Sequence, residues 1–237
     1  MMTHVLPPPV NPGLAAAVAA FAGNPSPQTR FHVLRWCMYG SLILGSPGTA
    51  GQAEGPDGEP ALIASTSGDG SQRPSVAVLE QAVAEGYRWL LLDPAGPSCA
   101  LARPDLDFAL HGDRNDAVRA ALGDRRDSRT DRLVTEALAG GGYLLLGVDP
   151  TSISGSGEGV RLRSAHEPDG DVYLFAYTSG PEGVSRHASD SFASRPVEQV
   201  LGIVVDGRYA GLAINPSGPS ATLSAADCRQ VLARLGR

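Results

Sequence analysis

The residues of this chain that could act as nucleophiles are serines set in a turn written twice. "GPSCA" places Ser98 one residue away from a G-x-S-x-G nucleophile elbow, and "GPSAT" places Ser220 in the same surroundings. Such an elbow requires a strand, a sharp turn and then a helix directly behind the serine, with a base nearby. Here each serine follows a proline turn, and an extended piece, "CALAR" or "ATLS", precedes the next helix. His32, His111, His166 and His187 have no counterparts between the two copies, so no base accompanies both serines. The stretch therefore reads as a structural turn. Proline presets φ, glycine permits the positive φ of a tight reversal, and Asp93 or Asn215 can accept a backbone N–H in an Asx-type turn. A second reading remains open: if exposed in both copies, Ser98 and Ser220, with Asn215 at the start of the turn, line equivalent rims and offer a shared ligand or peptide site.

The cluster "SRHASDSF" brings Ser185, His187, Asp190 and Ser191 together in sequence. Side chains on a single loop fan out, whereas triads assemble from distant segments, and a metal would need a further ligand at defined spacing. The cluster is instead expected to be a partner-contacting insertion carrying His187. "SGSGEG" at 154–159 has glycines but is followed by the strand-like "VRLRSAHE", not by the helix whose N-terminus would hold phosphate, so a hairpin loop is expected. Tyr173, Phe175 and Tyr177 alternate along one strand, with Leu174 and Ala176 on its other face. Either the aromatic row is core, or the smaller pair faces the core and the row is an exposed recognition surface. Arg73 and Arg195 each precede a proline at matching places and would suit an anionic ligand. Cys37, Cys99 and Cys228 show no ligand spacing and read as reduced, buried thiols.

Composition removes other chemistries. All 19 basic residues are arginine, so a Walker A lysine, a pyridoxal Schiff base and a kinase-type lysine are absent. A net charge of −6 argues against a nucleic-acid surface. The arginines of "GDRRDSRTDR" are interleaved with aspartates and read as a solvated connection. No apolar run is long enough to span a membrane, and the start, "MMTHVLPPPVNPG", lacks the pattern of a secretory signal. A disordered leader over residues 1–13, a cytoplasmic product, no cofactor and no metal are expected.

The elements that must position these residues also come twice. From Asp93 and Asn215 onward the two turns share Pro94/Pro216, Gly96/Gly218, Pro97/Pro219, Ser98/Ser220, Leu101/Leu223, Asp105/Asp227 and Leu110/Leu232. Upstream, "PDGEPALIASTSG" matches "PDGDVYLFAYTSG", and "GSLILG" matches "GYLLLG", in the same order. Each repeat reads as two amphipathic helices, an apolar strand, a PDG turn, and a strand running into Thr-Ser-Gly. A Pro-led helical segment, a buried strand to the proline turn, a short extended piece and a closing helix follow. Ser224 and Asp227 form a capping box, and Pro104 suits a first helical turn. "RPVEQVLGIVVDG" drifts toward β-branched residues where its counterpart "RPSVAVLEQAVAEG" is plainly helical. Trp36 and Trp89 are expected to fill core or inter-repeat space. The mixture without regular βαβ alternation gives an α+β class.

Taken together, these blocks, and "LAINPSGPSATLSAADCRQVL" above all, resemble the amino-terminal domain of the SseB (enhanced serine sensitivity) family. Repeat one departs from that pattern, with Asp93 in place of the asparagine. The resemblance implies a bacterial α+β domain without an established catalytic residue, here in tandem as residues 14–112 and 113–237. The expectation is a mixed-sheet pseudo-dimer, not an enzyme, that recognises another protein as an adaptor, chaperone or immunity-type binder. Its candidate binding residues are Tyr173, Phe175, Tyr177, Arg73, Arg195, Ser98, Ser220, Asn215 and His187; homodimerisation is left open. The rival is a small-molecule binder or enzyme with an anionic-ligand pocket between the repeats.

Overall fold

The structure, a computed structural model, describes residues 9–44, 52–123, 130–149, 161–168 and 170–236. The glycine-rich loop at 154–159 and most of the arginine-rich connection lie outside the described residues. The chain forms two compact units, Met1–His111 and Gly112–Arg237. Each is a mixed α/β unit built on one sheet.

Unit 1 runs α1 (Pro12–Gly23), α2 (Pro27–Cys37), β1 (Ser41–Leu44), β2 (Gln52–Glu54), β3 (Pro60–Ser65), β4 (Ser71–Pro74), α3 (Ser75–Ala84), β5 (Trp89–Leu92), β6 (Cys99–Ala102) and α4 (Arg103–Leu110). Unit 2 runs α5 (Asp116–Gly123), α6 (Thr130–Ala139), β7 (Tyr143–Val148), β8 (Ser164–His166), β9 (Val172–Tyr177), α7 (Gly180–Arg186), β10 (Ser191–Pro196), α8 (Val197–Asp206), β11 (Gly211–Ile214), β12 (Ala221–Ser224) and α9 (Ala225–Arg234). The sheet orders are β4-β1-β3-β5-β6 with β2 beside β3, and β10-β7-β9-β11-β12 with β8 beside β9. The two orders correspond strand for strand. In each, the central pair is parallel, β3 with β5 and β9 with β11, and the other pairs are antiparallel.

Local chemistry sets the helix starts. Asn11 caps α1 by accepting the Leu14 N–H at 3.1 Å, and Asn115 accepts the Val118 N–H at 3.0 Å ahead of α5. The amides of these two asparagines reach back to backbone carbonyls, Asn11 to Tyr39 at 2.8 Å and Asn115 to Gly141 at 3.3 Å. Gly40 and Gly142, both at positive φ, leave the space these side chains need, since a Cβ would stand 3.0 Å and 3.1 Å from the respective amide nitrogens. The same two glycines anchor the next helices by accepting the Ser75 N–H at 3.0 Å and the Val197 N–H at 2.9 Å. Ser26 with Thr29 and Ser224 with Asp227 form capping boxes, and Pro104 sits in the first turn of α4. The β-branched "VEQVLGIVVD" is helical because Val197, Val200, Leu201 and Val204 fall on one stripe and are buried there.

The leader expected over residues 1–13 ends earlier. Asn11 is buried, Pro12 begins α1, and the Val10 N–H donates to Thr66 O at 2.8 Å. Leu42, Leu62, Leu90 and Leu101 in unit 1, and Leu144, Leu174, Leu212 and Leu223 in unit 2, make the buried sheet faces, each side chain contributing about 2 kcal/mol of burial. The units differ on the other face. Between β9 and β10, unit 2 inserts α7, whose Pro181–Ser185 run is buried. Unit 1 passes from Thr66-Ser67-Gly68 into β4 with no such helix among the described residues.

Candidate functional site

Strand alternation puts Tyr173, Phe175 and Tyr177 on the second face of the unit 2 sheet, where they are covered progressively. Tyr177 is fully buried and meets Phe192 edge to face, with ring centroids 5.7 Å apart. Burial pushes its phenol above the ordinary range, with Asp190 adding to the shift. Phe175 is 6% exposed, and the Arg186 guanidinium carbon stands 5.4 Å from its ring centroid. Tyr173 is half-buried. Leu174 and Ala176 opposite them are also fully buried. Neither sequence reading of the row holds alone, because this face carries a second small core of Leu145, Phe175 and Tyr177 with Ala165, Phe192 and Ala213, which α7 meets through Gly183 at Phe192 and Arg186 at Phe175. Tyr177 and Phe175 are thus packing residues rather than an exposed recognition surface.

The place where this core opens is a groove of about 520 Å³. Tyr173, Phe175 and Ala213 form its floor, Ala165 and Glu167 one wall, and Pro216, Ser220 and Thr222 the other, with Arg186 at the rim. Three of the expected residues, Tyr173, Phe175 and Ser220, therefore come together. A sheet floor of one full aromatic ring and one partly covered one, rimmed by one arginine and one glutamate, is suited to holding an apolar side chain with polar neighbours.

No family model, no curated protein and no solved structure matches this chain. What the site can do is read from its own residues.

Asn215 is not available to a ligand. It is fully buried at φ 50°, its Oδ1 accepts the Thr178 N–H at 2.9 Å, and its Nδ2 donates to Thr178 Oγ1 at 2.8 Å. The backbone N–H it accepts belongs to the parallel neighbouring strand, so the bond is a cross-strand clasp and not an Asx-type turn. Asp93, also at φ 50°, makes the same clasp in unit 1, accepting the Thr66 N–H at 2.7 Å and the Thr66 hydroxyl at 2.8 Å. Thr66 gives its hydroxyl proton, Thr178 receives one, and one turn thereby tolerates acid or amide.

The remaining candidates are not among the residues that line the groove. Ser98 is exposed between β5 and β6, and Ser220 precedes β12, so strands follow both serines where an elbow needs a helix. Arg73 donates to Gln81 Oε1 at 2.7 Å on the edge strand β4, and Arg195 to Ser194 O at 2.9 Å on the edge strand β10. His187 is half-buried just past α7; burial holds its imidazole pKa below the ordinary value, Arg163 and Arg186 lower it further, and Asp190 and Asp149 oppose this in part. The insertion around it contains the helix α7, whose Pro181–Ser185 run is buried. Ser185 donates to Glu182 O at 2.9 Å, and the Asp190 carboxylate, fully buried, grips Arg163 through bonds of 2.8 Å and 2.7 Å. Those bonds leave no Ser–His–Asp relay.

Among the described residues no group of His, Cys, Asp and Glu could hold a metal ion. The three thiols are free and buried, and burial pushes all of them up, Cys99 and Cys228 to about 12, which disfavours the thiolate. Sequence reasoning missed the capping pair Asn11/Asn115, although "VNPG" and "DRND" ahead of amphipathic runs carry an N-cap signal. It also missed the Arg186–Phe175 contact, for which no local signal exists.

Proposed function

We propose that this chain is a protein-recognition module of the bacterial cytoplasm, an adaptor, chaperone or immunity-type binder, and that the unit 2 groove takes an apolar side chain of its partner. In this reading the two units are copies of an SseB-type amino-terminal domain that meet as a pseudo-dimer. The matched strand orders and the equivalent Asp93–Thr66 and Asn215–Thr178 clasps support the duplication. Among the described residues no helix is long and apolar enough to cross a membrane.

The observation that carries the binding reading is the half-buried Tyr173 beside Phe175 at the mouth of a groove with charged rims. A partly exposed aromatic ring held by a rigid sheet gives contact area at little entropic cost, which is what interface anchors supply. Arg186 and Glu167 at the rim would set the orientation of a peptide through its flanking charges.

Site-specific photocrosslinking tests this. A photoreactive residue at Thr222, on the groove wall, is compared in native lysate with one at exposed Glu80 on α3. The expected result is one discrete protein adduct from position 222 alone, lost with Tyr173→Ala while circular dichroism stays unchanged. Absence of any adduct from position 222, or an equal adduct from position 80, overturns the reading.

A further inference from the structure

The same turn that borders α7 in unit 2 stands open in unit 1. Gly96 and Gly218 are equivalent in the two proline turns, yet a Cβ on Gly96 would meet nothing within 4 Å, while one on Gly218 would stand 3.1 Å from both carboxylate oxygens of buried Glu182. The space that α7 closes in unit 2 is, in unit 1, a cavity of about 400 Å³ at the carboxyl ends of the parallel strands β3 and β5. Carboxyl ends of adjacent parallel strands are where open α/β sheets place ligands.

Three differences between the copies define its chemistry. Its α1 wall is Ala15 and Ala19; the position equivalent to Ala15, four residues beyond the capping asparagine, is Arg119 in unit 2, with its side chain 14% exposed. The buried helix α7 is missing. The clasping residue is Asp93 where unit 2 has neutral Asn215. The cavity therefore contains a half-buried carboxylate, and no arginine lines it. Two of the roughly four lone-pair sites of Asp93 are taken by Thr66. A partly desolvated carboxylate is most favourable with a cation beside it.

We propose that the unit 1 cavity is a binding site for a primary ammonium group on an apolar stem, presented as a lysine side chain by a partner protein. Ammonium fits better than guanidinium. A bidentate fork needs both carboxylate oxygens from one side, and Thr66 already occupies one position on each; a compact tetrahedral donor needs one position, in a cavity that Ser65 and Ser67 also line. Ala15, Ala95 and Pro97 receive the methylene stem. The chain contains no lysine, so the ligand comes from another molecule. This site is separate from the unit 2 groove and stands or falls independently of it.

The test is an amide chemical-shift titration of the full chain with N-acetyl-lysine N-methylamide, with the norleucine and arginine analogues as comparisons. The lysine probe is expected to shift Thr66, Gly68 and Gly96 saturably, and to leave Thr178 and Gly218 unmoved. Asp93→Asn, which keeps the clasp as Asn215 does, removes the shifts, and so does Ala15→Arg, which installs the arginine of unit 2. Equal shifts from the norleucine analogue, shifts that survive Asp93→Asn, or no saturable shift with the wild type would each overturn the proposal. Shifts confined to unit 1 and lost in both variants sustain it.

Discussion

Tyr173 lies across Gly211: the two face each other in register on parallel strands β9 and β11, and a Cβ on the glycine would stand 2.8 Å from the tyrosine ring. The same Cβ would also run into the carbonyl of Leu223. Unit 1 exchanges the sizes. Ala61 and Trp89 are in register at the equivalent place, and the Trp89 ring instead covers Gly55, with its indole N–H donating to Asp57 at 2.6 Å. Each sheet thus carries one large aromatic residue at this spot, anchored from opposite strands. Gly211→Ala is therefore expected to cost about 2–3 kcal/mol through overpacking. Tyr173→Ala in the same chain should recover only part of it, because the Leu223 carbonyl stays in place. Urea unfolding followed by far-ultraviolet circular dichroism measures both.

The clasps give a second expectation. Asn215→Ala removes two buried hydrogen bonds, orphans the Thr178 N–H and forces alanine to φ 50°, for a loss of about 3 kcal/mol. Asn215→Gly relieves only the backbone part and should recover about 1 kcal/mol. Asp93→Asn should lie within about 1 kcal/mol of wild type, since the threonine hydroxyl simply reverses. Both tryptophans, Trp36 and Trp89, belong to unit 1, so tryptophan fluorescence reports Asp93 variants and circular dichroism is needed for Asn215 variants.

The Arg163–Asp190 pair is the third. Asp190 has no exposed side-chain surface, and Arg163 holds both of its oxygens while reaching Asp149 at 3.1 Å. Arg163→Ala should cost about 2 kcal/mol by removing two charge-assisted hydrogen bonds, with water reaching the carboxylate where the partly exposed guanidinium stood. Asp190→Leu combined with Arg163→Met should recover most of the loss, since an apolar pair of similar volume escapes the desolvation penalty. Equal instability of the double and the single variant would contradict this account.

What the sequence showed and what it hid follow from where the information sits. Turns repeat visibly because their prolines and polar residues are set locally, although the positive φ expected of Gly96 and Gly218 falls instead on Asp93 and Asn215, both at 50°. The capping box at Ser224 was legible for the same reason, being local. Helix α7 was not: "GPEGVSR" has glycine and proline at its start and too few residues to show a period, and only its packing on Phe175 and Phe192 makes it helical. Once α7 is hidden, the aromatic row cannot be sorted. Alternation shows that Tyr173, Phe175 and Tyr177 share a face, but not that this face is covered too. The edge strands β4 and β10 were absorbed into the helices after them, because "QRP" and "SRP" look like helix-starting prolines when the pairing with β1 and β7 is unknown.

Acid sensitivity separates the two units. His187 in unit 2 and His32 in unit 1 both have imidazole pKa values below the ordinary one, chiefly through burial, with Arg163 and Arg186 adding to the effect at His187 and Arg35 at His32. The unfolded chain then takes up each proton at higher pH than the folded chain. Stability is full above the ordinary imidazole range and falls as pH drops toward the lowered folded value. The wild-type urea midpoint should therefore decline between about pH 7 and pH 5 by fluorescence and by circular dichroism alike. His187→Gln should weaken the decline seen by circular dichroism and leave the fluorescence decline intact, because the tryptophans report unit 1. His32→Gln should flatten the fluorescence decline and weaken the one seen by circular dichroism, which reports both units, and a fluorescence decline that disappears with His187→Gln would show that the units do not unfold as independent titrating bodies.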